Sequence, residues 1–166
     1  MVITEQQLAE RVNYLGGSDC AKILGLSRWG TPLSTFMAKV YPNRDDSENC
    51  IGGKNEASYW GNELEEKVCE AFTKVTGKKV ARVNQTLKHP EHDFIRANID
   101  RRVVGEDAIL EAKTCSAYKA QDWVDDEIPE EYILQLQHYL AVTGNEVAYI
   151  AVLIGGQKFL WKRVER

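Results

Sequence analysis

An alternating stretch in the second half of the chain, residues 98–114, constrains the fold more than any other segment. It reads Asn-Ile-Asp-Arg-Arg-Val-Val-Gly-Glu-Asp-Ala-Ile-Leu-Glu-Ala-Lys-Thr. Val103 and Val104 end one extended arm, Gly105-Glu106-Asp107 makes the turn, and residues 108–113 form the second arm. Two runs of this kind joined by a glycine-containing turn predict a β-hairpin.

Strand alternation then determines which side chains of the second arm share a face. Glu111 and Lys113 are two residues apart and point to one side, whereas Leu110 and Ala112 point to the other. Asp100 on the partner arm can bring a second carboxylate. Two carboxylates with a strand carbonyl can hold a hard divalent cation through oxygen ligands.

A lysine beside such a cation can position or deprotonate a water molecule, so the set suits metal-assisted phosphodiester hydrolysis. The pattern is short, and a surface hairpin that carries a Glu–Lys pair is the alternative.

Composition narrows the class of protein. The chain has 166 residues, 43% hydrophobic and 28% charged, which predicts one globular domain with a real core. No apolar run approaches the ~20 residues of a membrane span, and the N-terminus lacks a signal-peptide core. The net charge of −4 argues against a protein that coats nucleic acid through excess Lys and Arg.

The four cysteines are far apart in the sequence. None belongs to a C-x-x-C motif, and an iron–sulfur cluster would require all four to converge from distant segments. They are therefore predicted to be free thiols in a reducing cytosol.

The first 54 residues have the pattern of short helices. Thr4 and Gln7 form a capping box that opens a helix to about Val12. The run Gly16-Gly17-Ser18 precedes a second short helix with Ser18 as its cap; it is either a simple capped start or an anion site of backbone N–H groups. The remaining predictions here are a helix from Thr31-Pro32 to about Val40 and a loop over residues 41–55.

Residues 55–76 form the longest predicted helix, which Gly77 ends. We expect Glu63 to pair with Lys67 one turn later. Glu65 borders the apolar face without a local cation, so it is a candidate ligand for a metal or a partner for a distant cation. The predicted core stripe of this helix is Trp60, Leu64, Val68, Phe72 and Val75.

The rest of the chain alternates strands and helices. Strands are predicted over 78–84 and 94–104, helices over 116–123 and 129–143, and a hairpin over 146–154 and 158–164. Gln135 faces the same way as Tyr132 and Tyr139. His89 and His92 resemble a zinc pair, but they lie in a turn without a cysteine, which favours a solvated loop. The order of elements predicts a sheet flanked by helices, with acids converging at one end.

Six motifs in this order resemble the YqaJ-type viral recombinase family, the lambda-exonuclease-like relatives within the PD-(D/E)XK nucleases. The match covers nearly the whole chain. The motifs are Gly17-Ser18-Asp19 with Ile23-Leu24-Gly25-Leu26, Thr31-Pro32-Leu33, Trp60-Gly61-Asn62-Glu63-Leu64-Glu65, Ala97-Asn98-Ile99-Asp100-Arg101, Leu110-Glu111-Ala112-Lys113-Thr114, and Leu134-Gln135-Leu136-Gln137-His138-Tyr139; residues 151–156 end the match.

The resemblance implies an α/β (α+β) fold with a restriction-endonuclease-like core, a central mixed sheet flanked by helices, and an N-terminal helical extension. It implies one YqaJ-like nuclease domain over 1–166, with a helical part at 1–54 and the nuclease core at 55–166.

The resemblance also assigns roles to individual residues. Asp100, Glu111 and Lys113 correspond to the catalytic acids and lysine, and Gln135 to the active-site glutamine. Arg11 and Ser18 resemble the pair that holds the 5′-phosphate of the DNA end. The implied metal ligands are Asp100, Glu111, the Ala112 carbonyl and the helix carboxylate of Glu65.

The expected activity is that of a Mg²⁺-dependent deoxyribonuclease, with Mn²⁺ as a substitute, acting as a phage-type 5′→3′ exonuclease on double-stranded DNA in recombination. The alternatives are an endonuclease or nickase of the same fold, and a non-catalytic DNA-end-binding protein. A small-molecule enzyme would need a nucleotide loop, for which Gly52-Gly53-Lys54 is too short. The resemblance suggests a phage single-strand annealing protein as partner, an oligomeric state, and a cytoplasmic location in a bacterial host.

Two features depart from the family pattern. The Asp-Gly pair common at the first metal ligand is Asp100-Arg101 here, so a different local geometry is expected. The sequence ends at Arg166, just after the last predicted strand, whereas relatives carry more C-terminal helix.

Overall fold

The hairpin predicted around Gly105 is present in the computed structural model, which describes residues 9–41 and 56–166. Residues 101–103 pair antiparallel with residues 108–115, with Arg101 opposite Leu110. Gly105 adopts a φ of 83° in the turn, a conformation open to a residue without a Cβ atom. The alternating stretch therefore forms the structure that its pattern predicts.

A mixed sheet is built around this hairpin. Its strands follow the order β1-β4-β5-β6-β7; β5 and β6 are parallel, and the other neighbours are antiparallel. Strands β2 and β3 pair in a small second sheet. The predicted central mixed sheet is therefore confirmed. The strands are β1 (Val80–Arg82), β2 (Leu87–Lys88), β3 (Arg96–Ala97), β4 (Arg101–Val103), β5 (Ala108–Cys115), β6 (Val147–Ile154) and β7 (Lys158–Glu165).

The predicted strand over 94–104 is divided in the structure. Its first half is β3, which pairs with β2, and its second half is β4, which pairs with β1 and β5. Because the two halves join different sheets, the chain leaves extended pairing at residues 98–100. The prediction of one continuous strand was wrong, and the break places Asp100 at the start of β4.

Four α-helices flank the sheets in the described part of the chain. Thr31 caps α2 by accepting a hydrogen bond from the Ser34 N–H, as its position before Pro32 predicts. None of the described helices combines the length and the apolar character of a membrane span. The α-helices are α1 (Gly17–Ile23), α2 (Pro32–Val40), α3 (Glu56–Thr76) and α4 (Glu130–Thr143), and 3₁₀ turns cover Arg11–Asn13 and Ala117–Trp123.

Several predictions lie outside the described residues. These are the Thr4–Gln7 capping box, the loop over residues 42–55 with its Gly52-Gly53-Lys54 run, and Cys50. Cys20, Cys69 and Cys115 are free thiols, as predicted.

The core has one layer on each face of the sheet. On one face, Ile109 and Ile150 pack with Leu136 and Leu140 of α4. On the other face, Leu110 packs with the middle of α3 and with Tyr149, a residue of β6. The alternation of β5 therefore points Leu110 towards α3, and it points Ile109, Glu111 and Lys113 towards α4.

The buried stripe of α3 differs from the predicted one. Val68 and Phe72 are buried, but Trp60 and Val75 are 57% and 61% exposed. Burial is confined to the middle turns of this 21-residue helix, so its two ends remain in solvent. The predicted Glu63–Lys67 pair is also wrong, because Lys67 instead pairs with Glu70 at 2.8 Å. Both spacings are neighbours on a helix surface, and sequence alone does not choose between them.

Candidate active site

A cavity of about 430 Å³ opens between α1, α3, α4 and β5. All the residues proposed from the sequence as site residues line it, although they come from segments distant in the chain. They are Arg11, Ser18, Glu65, Asp100, Glu111, Ala112, Lys113 and Gln135. The lining also includes four residues that were not predicted as site residues: Tyr139, Asn98, Asn62 and Thr114.

The floor of the cavity is the pair of strands that the hairpin supplies. The Lys113 Nζ donates to Glu111 Oε1 at 2.6 Å. Asp100 Oδ2 accepts the Ala112 N–H at 2.9 Å. Because the N–H and C=O of one strand residue point to the same side, the Ala112 carbonyl is directed towards Asp100 as well. Two carboxylates, one carbonyl and one ammonium therefore meet at this point.

Helix α4 supplies a second set of contacts to Glu111. The Gln135 Nε2 donates to Glu111 Oε1 at 2.8 Å and to Tyr139 Oη at 2.7 Å. Gln135 and Tyr139 are one turn apart, so both face the cavity. The ring of Tyr132, one turn earlier, lies 5.3 Å from the Lys113 Nζ, within cation–π range. The shared face of the three residues was visible in the sequence, but the roles of the two tyrosines were not.

Burial governs the charge of Glu111. It raises the pKa of Glu111 to about 7, Asp100 adds to the rise, and Lys113 opposes it. Burial also works to lower the pKa of Lys113, but the Glu111 and Asp100 carboxylates hold that pKa above its ordinary value. Lys113 is therefore a cation in this arrangement. The ionised form of Glu111 is unfavourable here, and either protonation or a bound cation would stabilise the group.

One oxygen of the Glu111 carboxylate has the surroundings that favour a bound cation. This atom, Oε2, is buried and accepts no hydrogen bond from any residue that the structure describes. A buried oxygen without a partner destabilises the fold, because it has lost its hydrogen bonds to water. A bound cation would offset that cost. Asp100, Glu111 and the Ala112 carbonyl fit a hard divalent cation that completes its shell with water. Within the described residues, no group of three or more His, Cys, Asp or Glu side chains is arranged to hold a metal by itself.

Glu65 lines the cavity and forms an ion pair with Arg101. Its Oε1 accepts from Arg101 Nη1 at 2.6 Å. Of the two roles proposed for Glu65, metal ligand or ion-pair partner from elsewhere, the structure shows the ion pair. Arg101 is the residue that replaces the usual glycine after Asp100.

Arg11 and Ser18 form the opposite wall of the cavity. The Arg11 Nη2 donates to Ser18 Oγ at 2.8 Å, so the predicted neighbours are in contact. The prediction of Ser18 as the helix cap was wrong. Helix α1 begins at Gly17, and the Gly16 N–H donates to Asp19 Oδ2 at 3.0 Å. That N–H is therefore not available to an outside anion.

The two histidines of the β2–β3 connection lie in a turn, as predicted. The rings of His89 and His92 stack with their centroids 4.9 Å apart, and the His89 Nδ1 accepts the Glu91 N–H. These contacts stabilise the turn.

Known proteins resemble this chain in sequence and in fold. "Uncharacterized protein YqaJ" of Bacillus subtilis (strain 168) is 50% identical over 164 residues, which cover 98% of this chain and 50% of that protein. The chain thus spans about half the length of this relative.

Two solved structures have a similar fold. An alkaline exonuclease from Laribacter hongkongensis (LHK-Exo) matches with a TM-score of 0.78 and 23% identity over 98% of this chain and 82% of that one. A phage-related exonuclease from Haemophilus somnus 129PT matches with a TM-score of 0.63 and 16% identity over 92% of this chain and 84% of that one.

The family model of the YqaJ-like viral recombinase domain matches residues 7–146. That span includes both strands of the hairpin, the helix of Glu65 and the helix of Gln135. The chain therefore belongs to the family of YqaJ-like viral recombinase domains.

Proposed function

We propose that this chain is a divalent-cation-dependent deoxyribonuclease that degrades double-stranded DNA from its ends in the 5′→3′ direction during recombination. The observation that carries the proposal is the Glu111 Oε2 atom, which is buried beside Asp100 and Lys113 in the cavity and has no hydrogen-bond partner among residues 9–41 and 56–166. Family membership supports recombination, and the fold is shared with enzymes described as exonucleases. LHK-Exo has also been solved with dAMP, which is a monomer unit of DNA.

Each residue has a role that its contacts support. Asp100, Glu111 and the Ala112 carbonyl would hold Mg²⁺ or Mn²⁺. The cation would supply charge stabilisation at the scissile phosphate and a lower pKa for the attacking water.

Lys113 keeps its proton and can stabilise negative charge on the attacking water and the phosphate. Gln135 fixes the carboxylate of Glu111 through its 2.8 Å hydrogen bond. Tyr132 and Tyr139 hold Lys113 and Gln135 in place.

One assay separates the proposed activity from its alternatives. An end-labelled linear duplex and a covalently closed circular duplex are each incubated with Mg²⁺ or with EDTA. We expect mononucleotide release from the linear duplex in Mg²⁺ only, and an intact circle. Cleavage of the circle would instead identify an endonuclease or nickase. Binding to ends without cleavage of either duplex in Mg²⁺ would identify a non-catalytic binding protein.

The Arg11–Ser18 wall suggests how a DNA end is selected. A guanidinium and a hydroxyl 2.8 Å apart at the cavity edge can bind a terminal phosphate by charge-assisted hydrogen bonds. We predict faster degradation of 5′-phosphorylated than of 5′-hydroxyl duplex by the wild type. Arg11→Ala should erase the preference, at a cost of about 1.5–3 kcal/mol in transition-state stabilisation.

The control for this prediction is Arg163→Ala, which removes the same charge from an exposed position on β7 that pairs with Glu165. All rates are compared at one ionic strength, because salt alone changes DNA affinity. Equal wild-type rates on the two kinds of end would rule out a phosphate pocket at this wall.

A further inference from the structure

Arg101 is a buried cation immediately beside the candidate metal ligands. The residue is 2% exposed and follows Asp100 at the start of β4. Its Nη1 donates to Glu65 Oε1 at 2.6 Å and to the Asp100 carbonyl at 2.8 Å. Its Nη2 donates to Glu66 Oε2 at 2.9 Å. The guanidinium thus joins β4 to two consecutive acids of α3.

Arg101 compensates the charges of Glu65 and Glu66 to different extents. Glu66 is exposed, and its Oε2 also accepts from Arg82. Glu65 is 8% exposed and lines the cavity, so water solvates its charge poorly. Burying a carboxylate is costly unless a cation, a metal or hydrogen-bond donors compensate its charge. Arg101 therefore balances mainly the charge of Glu65, the acid that the family resemblance places in the metal site.

We propose that Arg101 is a positioning residue that withholds Glu65 from the divalent cation. The cation is then held by Asp100, Glu111 and the Ala112 carbonyl, and Glu65 stays with Arg101. This inference rests on the proposed function, which assigns a divalent cation to the cavity. Arg101 would thereby lower the affinity of this site for a divalent cation.

Competition between cations is the physical reason. A guanidinium held by three acceptors on two elements is costly to displace, because leaving would uncover a buried charge and break charge-assisted hydrogen bonds. Its own positive charge also repels a divalent ion close by. Removal of Arg101 would release Glu65 as a ligand and would remove that repulsion, so both effects favour tighter binding.

Mn²⁺ binding, followed by electron paramagnetic resonance without DNA, tests the inference independently of activity. We expect Arg101→Gln to bind Mn²⁺ about tenfold more tightly than the wild type. The double variant Glu65→Gln/Arg101→Gln removes the pair as a unit and should bind within about twofold of the wild type. Arg102→Gln is the matched control, because it removes the same charge from the adjacent, exposed position of β4 and should change nothing.

Unchanged or weaker Mn²⁺ binding by a folded Arg101→Gln protein would overturn the inference. Loss of about tenfold or more in the double variant would also overturn it, because Glu65 would then be a ligand in the wild type. If Arg101→Gln does not fold, the Mn²⁺ affinity of the double variant is the test. The double variant is expected to fold, because it removes both charges of the Arg101–Glu65 pair and leaves neither buried alone. A wild type that binds no Mn²⁺ would instead contradict the proposed function, so the two failures are distinguishable.

Discussion

Glu111 is a carboxyl group that the fold leaves incompletely satisfied. One of its oxygens accepts from Lys113 and Gln135, while the other is buried without a hydrogen-bond partner among the described residues. Burial, and next to it Asp100, raise the pKa of Glu111 to about 7. Ionised Glu111 therefore destabilises the metal-free fold, and a cation would remove the cost.

The raised pKa of Glu111 predicts that the stability of the fold changes with pH and with metal. The pKa of Glu111 is higher in the folded state than in the unfolded chain, so protonation of Glu111 stabilises the fold. This stabilisation is fully present below the ordinary pKa of a glutamate and is lost as the pH rises through about 7. Mg²⁺ binds the ionised form and offsets that loss. We expect Mg²⁺ to raise the Tm by more at pH 8 than at pH 6, as measured by scanning calorimetry.

The Asp100→Asn/Glu111→Gln variant should show no such rise at either pH. Glu91→Gln/Asp93→Asn, which neutralises two exposed acids of the β2–β3 connection, is the control and should respond as the wild type does. A full metal-induced rise in the Asp100/Glu111 variant would show that the ion binds elsewhere.

Single residues were predictable where local geometry determines them. Strand alternation alone places Glu111 and Lys113 on one face, and helix periodicity places Gln135 with Tyr139. The partner of Glu65 was not predictable, because Arg101 is 36 residues away and reaches it only through the packing of β4 against α3. The sequence left both a metal and a distant cation open, and the pairing of Glu65 with Arg101 is visible only in the tertiary structure.

At the scale of elements, the close packing of α1 against α4 sets the position of Gln135. A Cβ atom at Gly17 would lie 2.5 Å from Tyr139 Cε1 and 3.0 Å from Gln135 Cγ. Only glycine fits there without displacing these side chains. The glycine pair that the sequence suggested as an anion site therefore has a packing role at its second position.

Gly17→Ala should consequently weaken both the fold and the site. We predict a loss of about 1–3 kcal/mol in the free energy of unfolding, together with a lower rate of DNA hydrolysis as Gln135 shifts from Glu111. Urea unfolding and a nuclease assay measure the two effects. Gly16→Ala is the control, since its Cβ would meet nothing closer than 3.8 Å. If Gly17→Ala matches this control in both measurements, the packing argument is wrong.

Helices were predicted best where the residues that begin and end them agree with the apolar periodicity. Pro32 with the Thr31 cap begins α2, and Gly144 ends α4 in a left-handed conformation with a φ of 76°. The extent of strands was harder to predict, because pairing partners determine where residues 94–104 break. The exposed ends of α3 were missed because periodicity identifies a face and not the length that a sheet covers.

At the scale of the whole molecule, the helical first part contacts the core that contains the sheet through hydrogen bonds. The Leu15 N–H donates to the Phe94 carbonyl at 2.7 Å, and the Arg96 N–H donates to the Leu15 carbonyl at 3.0 Å. The Asn98 Nδ2 donates to Tyr14 Oη at 2.9 Å. We infer that the described parts of the chain, residues 9–41 and 56–166, fold as one unit.

A single folding unit predicts one cooperative transition. Far-UV circular dichroism and tryptophan fluorescence, in which Trp123 is a buried reporter, should give coincident urea curves for the full chain. A fragment of residues 55–166 should lack this transition, because the α4 face that α1 covers would be open. Two separated transitions, or a native-like fragment, would contradict the single domain.

The order of elements predicted the architecture because a hairpin, a crossover helix and a second hairpin leave few arrangements of one sheet. The crossover connection through α4 allows β5 and β6 to pair in parallel, as the structure shows. The convergence of Arg11, Ser18 and Gln135 on one cavity was implied by the family resemblance and not by local pattern. These residues lie on different helical segments, whose placement depends on the whole fold.

The proposed chemistry is tested most directly by the rate at which Lys113→Ala releases mononucleotides from a 5′-phosphorylated linear duplex at saturating Mg²⁺ and DNA. We predict a loss of about 100-fold or more, because the charge that stabilises the reacting phosphate is removed. DNA affinity and the Mg²⁺-induced rise in Tm should be retained. Lys74→Ala, in the last turn of α3, is the matched surface control. Wild-type rates in a folded Lys113→Ala protein would contradict a catalytic role for this lysine, and with it the proposed active site.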